Sequence, residues 1–366
     1  MSLALHNLLQ DRTRLALSVI GVALAVMLVL LLSGFVDGIE EQVGVFADRT
    51  PGSVVVAQAD VDTLLVATSS LPPGAAEAAA KVDGVAEVVP VVSRLIILDL
   101  HGRKIPAYMI GYDPARARGP WRMAEGREPA SDDEIVLDRA LTSQHDVRLG
   151  DGVDVLGRRF RVVGVSRGVT TWMLSYVFVR TGAAESLLRA PGIASYLLVR
   201  PADGTSPEAV RDRLRELPGM TAELKSTMVA NDRRYFTRFF TPPIRLMAAI
   251  AFLVGALVVG IVLYSATIER RREYGVLKAI GARGGVLYRV ALTQALLVSV
   301  AGAAIGVAVA LGSAELIMEA RPQFLIAYAP ATIGAALAAG GVMALLATLL
   351  PARVIAATAP ADVFRR

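Results

Sequence analysis

The sequence predicts an α-helical membrane protein with four transmembrane helices and a large extracytoplasmic α/β domain between helices 1 and 2. Three observations predict it. First, Leu15–Val36, Leu246–Ile268, Val290–Ala314 and Ala329–Leu350 contain no charged residue, although 19% of the 366 residues are charged. Each stretch exceeds the roughly 20 apolar residues that cross a hydrocarbon core of about 30 Å as a helix. Second, the long segment 37–245 has the mixed composition of a soluble domain. Third, the net charge of +5 is concentrated beside the apolar stretches, in residues 1–14, 269–289 and 351–366. Positive charge in short segments flanking spans marks the cytoplasmic side, so both termini are expected in the cytoplasm and 37–245 outside it. The same distribution argues against a nucleic-acid partner, which would need a basic surface away from the membrane.

Taken in order, residues 1–36 supply a short head and the first span. Its apolar run is longer than the 7–15 residues of a signal peptide and no A-x-A site closely follows, so it reads as a retained helix. Residues 37–245 follow as the outer domain. Ala75–Val82 reads as a helix after Pro72-Pro73-Gly74; Val85–Val92, Arg94–Leu100 and Lys104–Ile110 read as strands, the last two joined at His101-Gly102. Leu137–His145 looks helical. Val153–Leu156 and Arg159–Val165 flank Gly157 as hairpin arms, Tyr176–Val179 and Tyr196–Arg200 read as strands, and Gly182–Arg189 as a helix. Pro207–Leu217 reads as a helix capped by Ser206.

Thr227–Phe240 is expected to be a helix leading towards the second span and interrupted near Pro242-Pro243. Its Tyr235, Phe236, Phe239 and Phe240, beside Arg233, Arg234 and Arg238, suit an aromatic and basic belt at a membrane surface, or a lateral surface touched by a hydrophobic substrate. Residues 246–366 hold the other three spans, a short cytoplasmic segment 269–282 and a tail. Small residues recur four apart: Gly21 and Ala25, Ala256 and Gly260, Gly302 and Gly306, Ala336 and Gly340. That spacing allows close helix approach, either within one subunit or across a dimer seam.

The chemistry that the sequence lacks is as informative. There is no G-x-x-x-x-G-K-[ST] loop to cradle nucleotide phosphates; Gly281-Ala282-Arg283-Gly284-Gly285 lacks the Lys-Ser/Thr ending. His6, His101 and His145 fall at no metal-ligand spacing, no nucleophile elbow occurs, and the absence of cysteine excludes disulfides and thiolate metal sites. No catalytic, cofactor-binding or metal-binding residue is therefore assigned. The spans carry no acid or base, and Gln294 is their one side-chain amide, which opposes a secondary transporter with its intramembrane relay. Energy for any work is expected from a partner on the cytoplasmic side.

The segment Glu269-Arg270-Arg271-Arg272-Glu273-Tyr274-Gly275-Val276-Leu277-Lys278-Ala279-Ile280-Gly281-Ala282 is the candidate contact. Val276, Leu277 and Ile280 fall on one face of a short amphipathic helix, with Gly281 as its stop. Physically, such a helix suits a partner protein or the lipid headgroups equally well.

These residues carry a resemblance. The E-x-G-x-L-K-A-x-G-A pattern resembles the coupling segment of FtsX/MacB-like ABC transporter permeases, the type VII or mechanotransmission group. Leu5-His6-Asn7-Leu8-Leu9 with Arg12-Thr13-Arg14 is similar to that family's amino-terminal helix. Gly126-Arg127-Glu128-Pro129, Ile135-Val136-Leu137, Leu149-Gly150-Asp151 and Phe160–Val165 resemble its outer domain, and Pro351-Ala352-Arg353, Ala356 and Pro360–Phe364 its ending. Tyr274, where Ile is common, and Val354-Ile355, where a basic residue and Ala are common, depart from the pattern. The resemblance implies a homodimer in the bacterial plasma membrane, bound to two copies of a separate cytoplasmic ABC ATPase that holds ATP and Mg. It places the ATPase contact at Glu273, Gly275, Leu277, Lys278, Ala279, Gly281 and Ala282. It implies export of lipids, lipoproteins or hydrophobic compounds or, alternatively, a signalling permease that regulates an outer partner such as a cell-wall hydrolase without transport. Membrane lipids are expected partners in either case.

Overall fold

The computed structural model describes residues 12–48, 50–116, 119, 122–168, 175–269, 271–280, 284–321, 323–349 and 353. The expected amino-terminal residues Leu5–Leu9 and, apart from Arg353, the ending from Pro351 to Phe364 lie outside them. In chain order the elements are α1 (Arg12–Asp48), β1 (Val54–Gln58), α2 (Ala75–Ala80), β2 (Val85–Leu100), β3 (Arg103–Tyr112), β4 (Met123–Gly126), β5 (Glu134–Asp138) and α3 (Arg139–His145). There follow β6 (Gly152–Val155), β7 (Arg158–Ser166), β8 (Ser175–Arg180), α4 (Thr181–Leu188), β9 (Tyr196–Pro201), α5 (Pro207–Arg215) and β10 (Met220–Leu224). The chain ends in α6 (Lys225–Glu269), α7 (Arg271–Ala279), α8 (Gly284–Ala320) and α9 (Pro330–Ala347). They form two compact units. One is helical and holds the chain up to Asp37, Phe240–Ile317 and the residues from Ile326; the other comprises Gly38–Phe239 with Met318–Leu325.

In the helical unit, α1, α6, α8 and α9 are, among the described residues, the helices long and apolar enough to cross a membrane. Val22, Val26 and Leu30 of α1 pack with Val259 and Leu263 of α6, Ala295, Val298 and Ala303 of α8, and Ala336 and Ala344 of α9. Small residues sit where these helices approach closest. A Cβ on Gly302 would meet Val22 Cβ at 2.6 Å, one on Gly306 would meet the Ala23 carbonyl at 2.6 Å, and one on Gly340 would meet Ala303 Cβ at 3.3 Å. The spacing of small residues therefore serves packing within the chain at these positions. Outward, Leu246, Leu253, Leu257 and Val300 are exposed in continuous apolar stripes, a surface suited to hydrocarbon and not to water.

Polar contacts tie the ends of these helices. At one end Arg14 of α1 pairs with Glu269 of α6. At the other, Asp37 Oδ2 accepts from Thr332 Oγ1 at 2.6 Å and from the Ala329 amide at 3.5 Å. The amino-terminus of α9 has no side-chain cap of its own, and Asp37 of α1 holds its N-cap residue Ala329 and Thr332 in its first turn.

The second unit is built on one ladder, in the order β10-β1-β9-β2-β3-β8-β5-β7-β4, with β6 pairing both β2 and β7. The pairings β2–β3–β8–β5–β7–β6–β2 therefore close on themselves as a six-stranded barrel, parallel only at β3–β8 and β5–β7. Ile96 and Leu98 of β2, Met109 of β3, Ile135 of β5, Phe160 of β7 and Val177 of β8 share its core. Outside the barrel, β10-β1-β9 and the first half of β2 form an antiparallel sheet covered by α2 and α5 through Ala79, Val210 and Leu214. The strand β2 is 16 residues long and belongs to both lobes, pairing with β9 over Val85–Val91 and with β3 over Val92–Leu100.

Three expectations need correction. α6 is one helix of 45 residues, continuous through Pro242 and Pro243 instead of breaking there. Proline's fixed φ is helical, and adjacent prolines remove only two neighbouring N–H donors. The strands expected at Val85–Val92 and Arg94–Leu100 are one strand, continuous through Ser93. Leu137 and Asp138, expected to be helical, end β5, and Asp138 caps α3 by accepting from the Ala140 amide at 2.8 Å.

Candidate functional site

The expected coupling segment 269–282 contains a helix, α7, of nine residues. Glu269 ends α6, and Gly281 and Ala282 lie outside the described residues. Glu273 stands in the first turn of α7, where its charge opposes the positive end of the helix dipole. The Ile280 amide donates to the Val276 carbonyl at 3.1 Å, so the helical bonding reaches one residue further. Glu273 and Ala279 are exposed and Gly275 is buried. Leu277 and Lys278 belong to the helix by sequence position. Of the apolar stripe, Val276 is 42% and Ile280 76% exposed. The structure thus presents Glu273, Ala279, Val276 and Ile280 on one short helix.

In the second unit, sequence reasoning missed a clamp at the start of α6. Met228, Val229 and Asp232 share the buried face of that helix, and Asp232 is only 1% exposed. Its carboxylate accepts from the backbone amides of Leu64 at 3.0 Å and Leu65 at 3.2 Å. Asn231 Nδ2 donates to the Asp62 carbonyl at 3.0 Å. From the sheet side, the Tyr196 hydroxyl lies 2.9 Å from the Ala67 carbonyl and 3.1 Å from that of Leu64, and the Tyr108 hydroxyl 3.3 Å from that of Leu65. Burial raises the pKa of both tyrosines, so both remain donors. The loop Asp62–Ala67 is therefore held on both sides, by α6 and by the sheet. An acidic residue on the apolar face of an expected helix was the signal available in the sequence. Nearby, Arg233 and Thr237 of α6 donate to the carbonyl and carboxylate of Glu40 on α1, at 3.2 Å each.

The outer-domain pattern resolves into scaffold. Glu134, buried at the start of β5, accepts from Arg127 Nη1 at 2.7 Å, Arg161 Nη2 at 2.8 Å and the Ala130 amide at 2.8 Å. The Arg127 hydrogen bond, opposed by desolvation and reinforced by Ala130 and Arg161, holds its pKa down at about 2. Gly126 adopts φ +76° against the Val163 carbonyl, a position with no room for a Cβ. The Gly150 amide donates to the Val162 carbonyl at 2.8 Å. Gly126, Arg127, Gly150 and Phe160–Val165 thus meet around β7. His145 has its Nδ1 buried with no partner among the described residues, and burial lowers its pKa. Among the described residues there is no group of acids and histidines arranged to hold a metal.

Comparison with known proteins adds the following. A family model described as MacB-like periplasmic core domain matches residues 15–217, and one described as FtsX-like permease C-terminal matches residues 245–360. An uncharacterized ABC transporter permease of Mycobacterium tuberculosis (strain ATCC 25618 / H37Rv) is 26% identical over 310 residues, covering 84% of each chain. The macrolide export ATP-binding/permease protein MacB of Chromobacterium violaceum is 37% identical over 122 residues, covering 33% of this chain and 19% of that one. Among solved structures, the periplasmic region of MacB from Actinobacillus actinomycetemcomitans aligns with 50% of this chain and 92% of its own, at 15% identity and a TM-score of 0.37.

Proposed function

The chain belongs to the FtsX/MacB-like ABC transporter permeases and is a transmembrane protein, and from that membership we propose that it is the permease subunit of an ATP-driven exporter or mechanotransmission complex. In this reading two copies sit in the bacterial plasma membrane with both termini in the cytoplasm and residues 37–245 outside. A separate cytoplasmic ATPase binds ATP and Mg and docks on α7. Its closing shifts the helices, and α1 and α6 carry the movement outwards. The cargo class is a lipid, a lipoprotein or a hydrophobic compound.

One observation carries the reading: α7 is a short helix between two membrane-crossing helices, and Val276 and Ile280 of its apolar stripe are exposed. Such a stripe suits insertion into a groove on a partner. Glu273, Gly275, Leu277, Lys278, Ala279, Gly281 and Ala282 are the proposed contact residues. The test is affinity purification of the tagged chain from cells that co-express the ABC ATPase encoded beside it. Wild type is expected to retain the ATPase, and Leu277→Asp to lose it while still reaching the membrane. Failure of the wild type to retain any ATPase overturns the function; unchanged retention by Leu277→Asp overturns the contact.

A further inference from the structure

A cavity of about 350 Å³ opens among α1, α6 and α9. Val29 and Val36 of α1, Ile244 and Ala248 of α6, and Ala335 of α9 give it apolar walls, and Asp37, Arg245 and Thr332 stand in its lining. Its place along the helices is defined by sequence. Asp37 directly follows the charge-free stretch of α1, Arg245 directly precedes that of α6, and Ala331–Ala336 form the first turns of α9. The cavity therefore lies where hydrocarbon meets water, and in the topology proposed above, on which this inference rests, that boundary is the outer one.

Its chemistry is that of an amphiphile site. A cavity of this size between helices, apolar with a few polar groups, is the usual form of a ligand pocket. Apolar walls do not hold water well, whereas an acyl chain from the surrounding leaflet fills them at no cost in hydrogen bonds. The polar end bears one charge of each sign. Arg245 is exposed and makes no ion pair among the described residues. Asp37 receives Thr332 and Ala329 on Oδ2, which leaves Oδ1 for another donor.

We propose that this cavity binds one zwitterionic phospholipid of the bilayer, with an acyl chain between Val29, Ile244 and Ala335, its phosphate on Arg245 and its ammonium on Asp37. A lipid with a net negative headgroup satisfies Arg245 but offers no cation to offset Asp37, so the pair of residues selects the zwitterion. The bound lipid wedges α9 away from α6 at their outer ends.

The test is native mass spectrometry of the permease–ATPase complex released from nanodiscs containing equal amounts of phosphatidylethanolamine and phosphatidylglycerol. About one phosphatidylethanolamine per permease chain is expected. Ala248→Leu with Ala335→Leu, which fills the cavity, is expected to reduce retention about tenfold; Arg245→Gln, which adds no bulk to the walls, is expected to reduce it about as much. ATPase copurification and an outside reporter at Gly150 are read on the same samples, so a failure of the proposed function or topology is distinguished from a failure of the site. If the double variant loses the ATPase through misfolding, Arg245→Gln decides. Retention unchanged in Arg245→Gln, equal retention of both lipids, or an empty cavity overturns the proposal. So does a retained mass that matches neither lipid, as a cargo would give, or a second permease chain covering the cavity.

Discussion

At the residue scale, two buried carboxylates show what acids do in the second unit. Glu134 has its pKa lowered from 4.5 to about 2, chiefly by its hydrogen bond to Arg127. A carboxylate with a depressed folded-state pKa contributes stability that is fully present above the unfolded value and is lost as pH falls. The stability that Glu134 contributes is therefore expected to persist above about pH 4.5 and to fade towards pH 2. Thermal melts of the purified chain should show Glu134→Gln destabilised at neutral pH, by about 2 kcal/mol given that both arginines are half-exposed, and less sensitive to acid across that window. Asp232 makes a second prediction. Asp232→Ala leaves the Leu64 and Leu65 amides buried without their acceptor, a loss of about 3 kcal/mol. The measurement is limited proteolysis at Asp62–Ala67, where the variant is expected to be cut faster than wild type and Asn231→Ala to show a smaller effect. Sequence alone did not expose Asp232 as structural, because the amides that satisfy it lie far along the chain, Leu64 being 168 residues away; the partners of Glu134 are nearer, but only the fold turns them onto it.

Among the elements, hairpins were legible wherever a turn forced them. His101-Gly102 and Leu156-Gly157 adopt positive φ and connect the strands expected to flank them. The strands β1, β4, β5 and β10 were not legible. The run Val54–Gln58 is buried on both faces except at its last residue, so it lacks the alternation that marks a half-buried strand. In β5 the acids at both ends obscure a strand buried throughout, whose first charge is neutralised by Arg127 and Arg161. The membrane-crossing helices were the clearest elements, and their small residues make a testable distinction. Gly302→Leu forces a side chain into Val22 and the Val19 carbonyl, whereas Gly312 has nothing within 4 Å. Gly302→Leu is expected to lower the melting temperature of the detergent-solubilised protein, by the roughly 1–3 kcal/mol of an overpacked core. Gly312→Leu should leave it unchanged.

Across the whole molecule, the short helix α7 was legible because its pattern is local and contiguous, and the clamp at Asp232 was not because its parts are scattered. The topology makes the remaining prediction. Gly150 lies in a turn at φ +95° with open space around it, so a reporter inserted there should be tolerated. A periplasm-active reporter at Gly150 is expected to give signal, and a cytoplasm-active one to stay silent; the opposite pattern inverts the proposed orientation.

The strand β2 carries a last consequence. Sixteen residues of extended chain span about 50 Å, and each half is hydrogen-bonded into a different lobe. Neither lobe can turn without taking this rod with it. A slight rotation imposed on one lobe would therefore be felt as a displacement at the far end of the other, because one strand serves both.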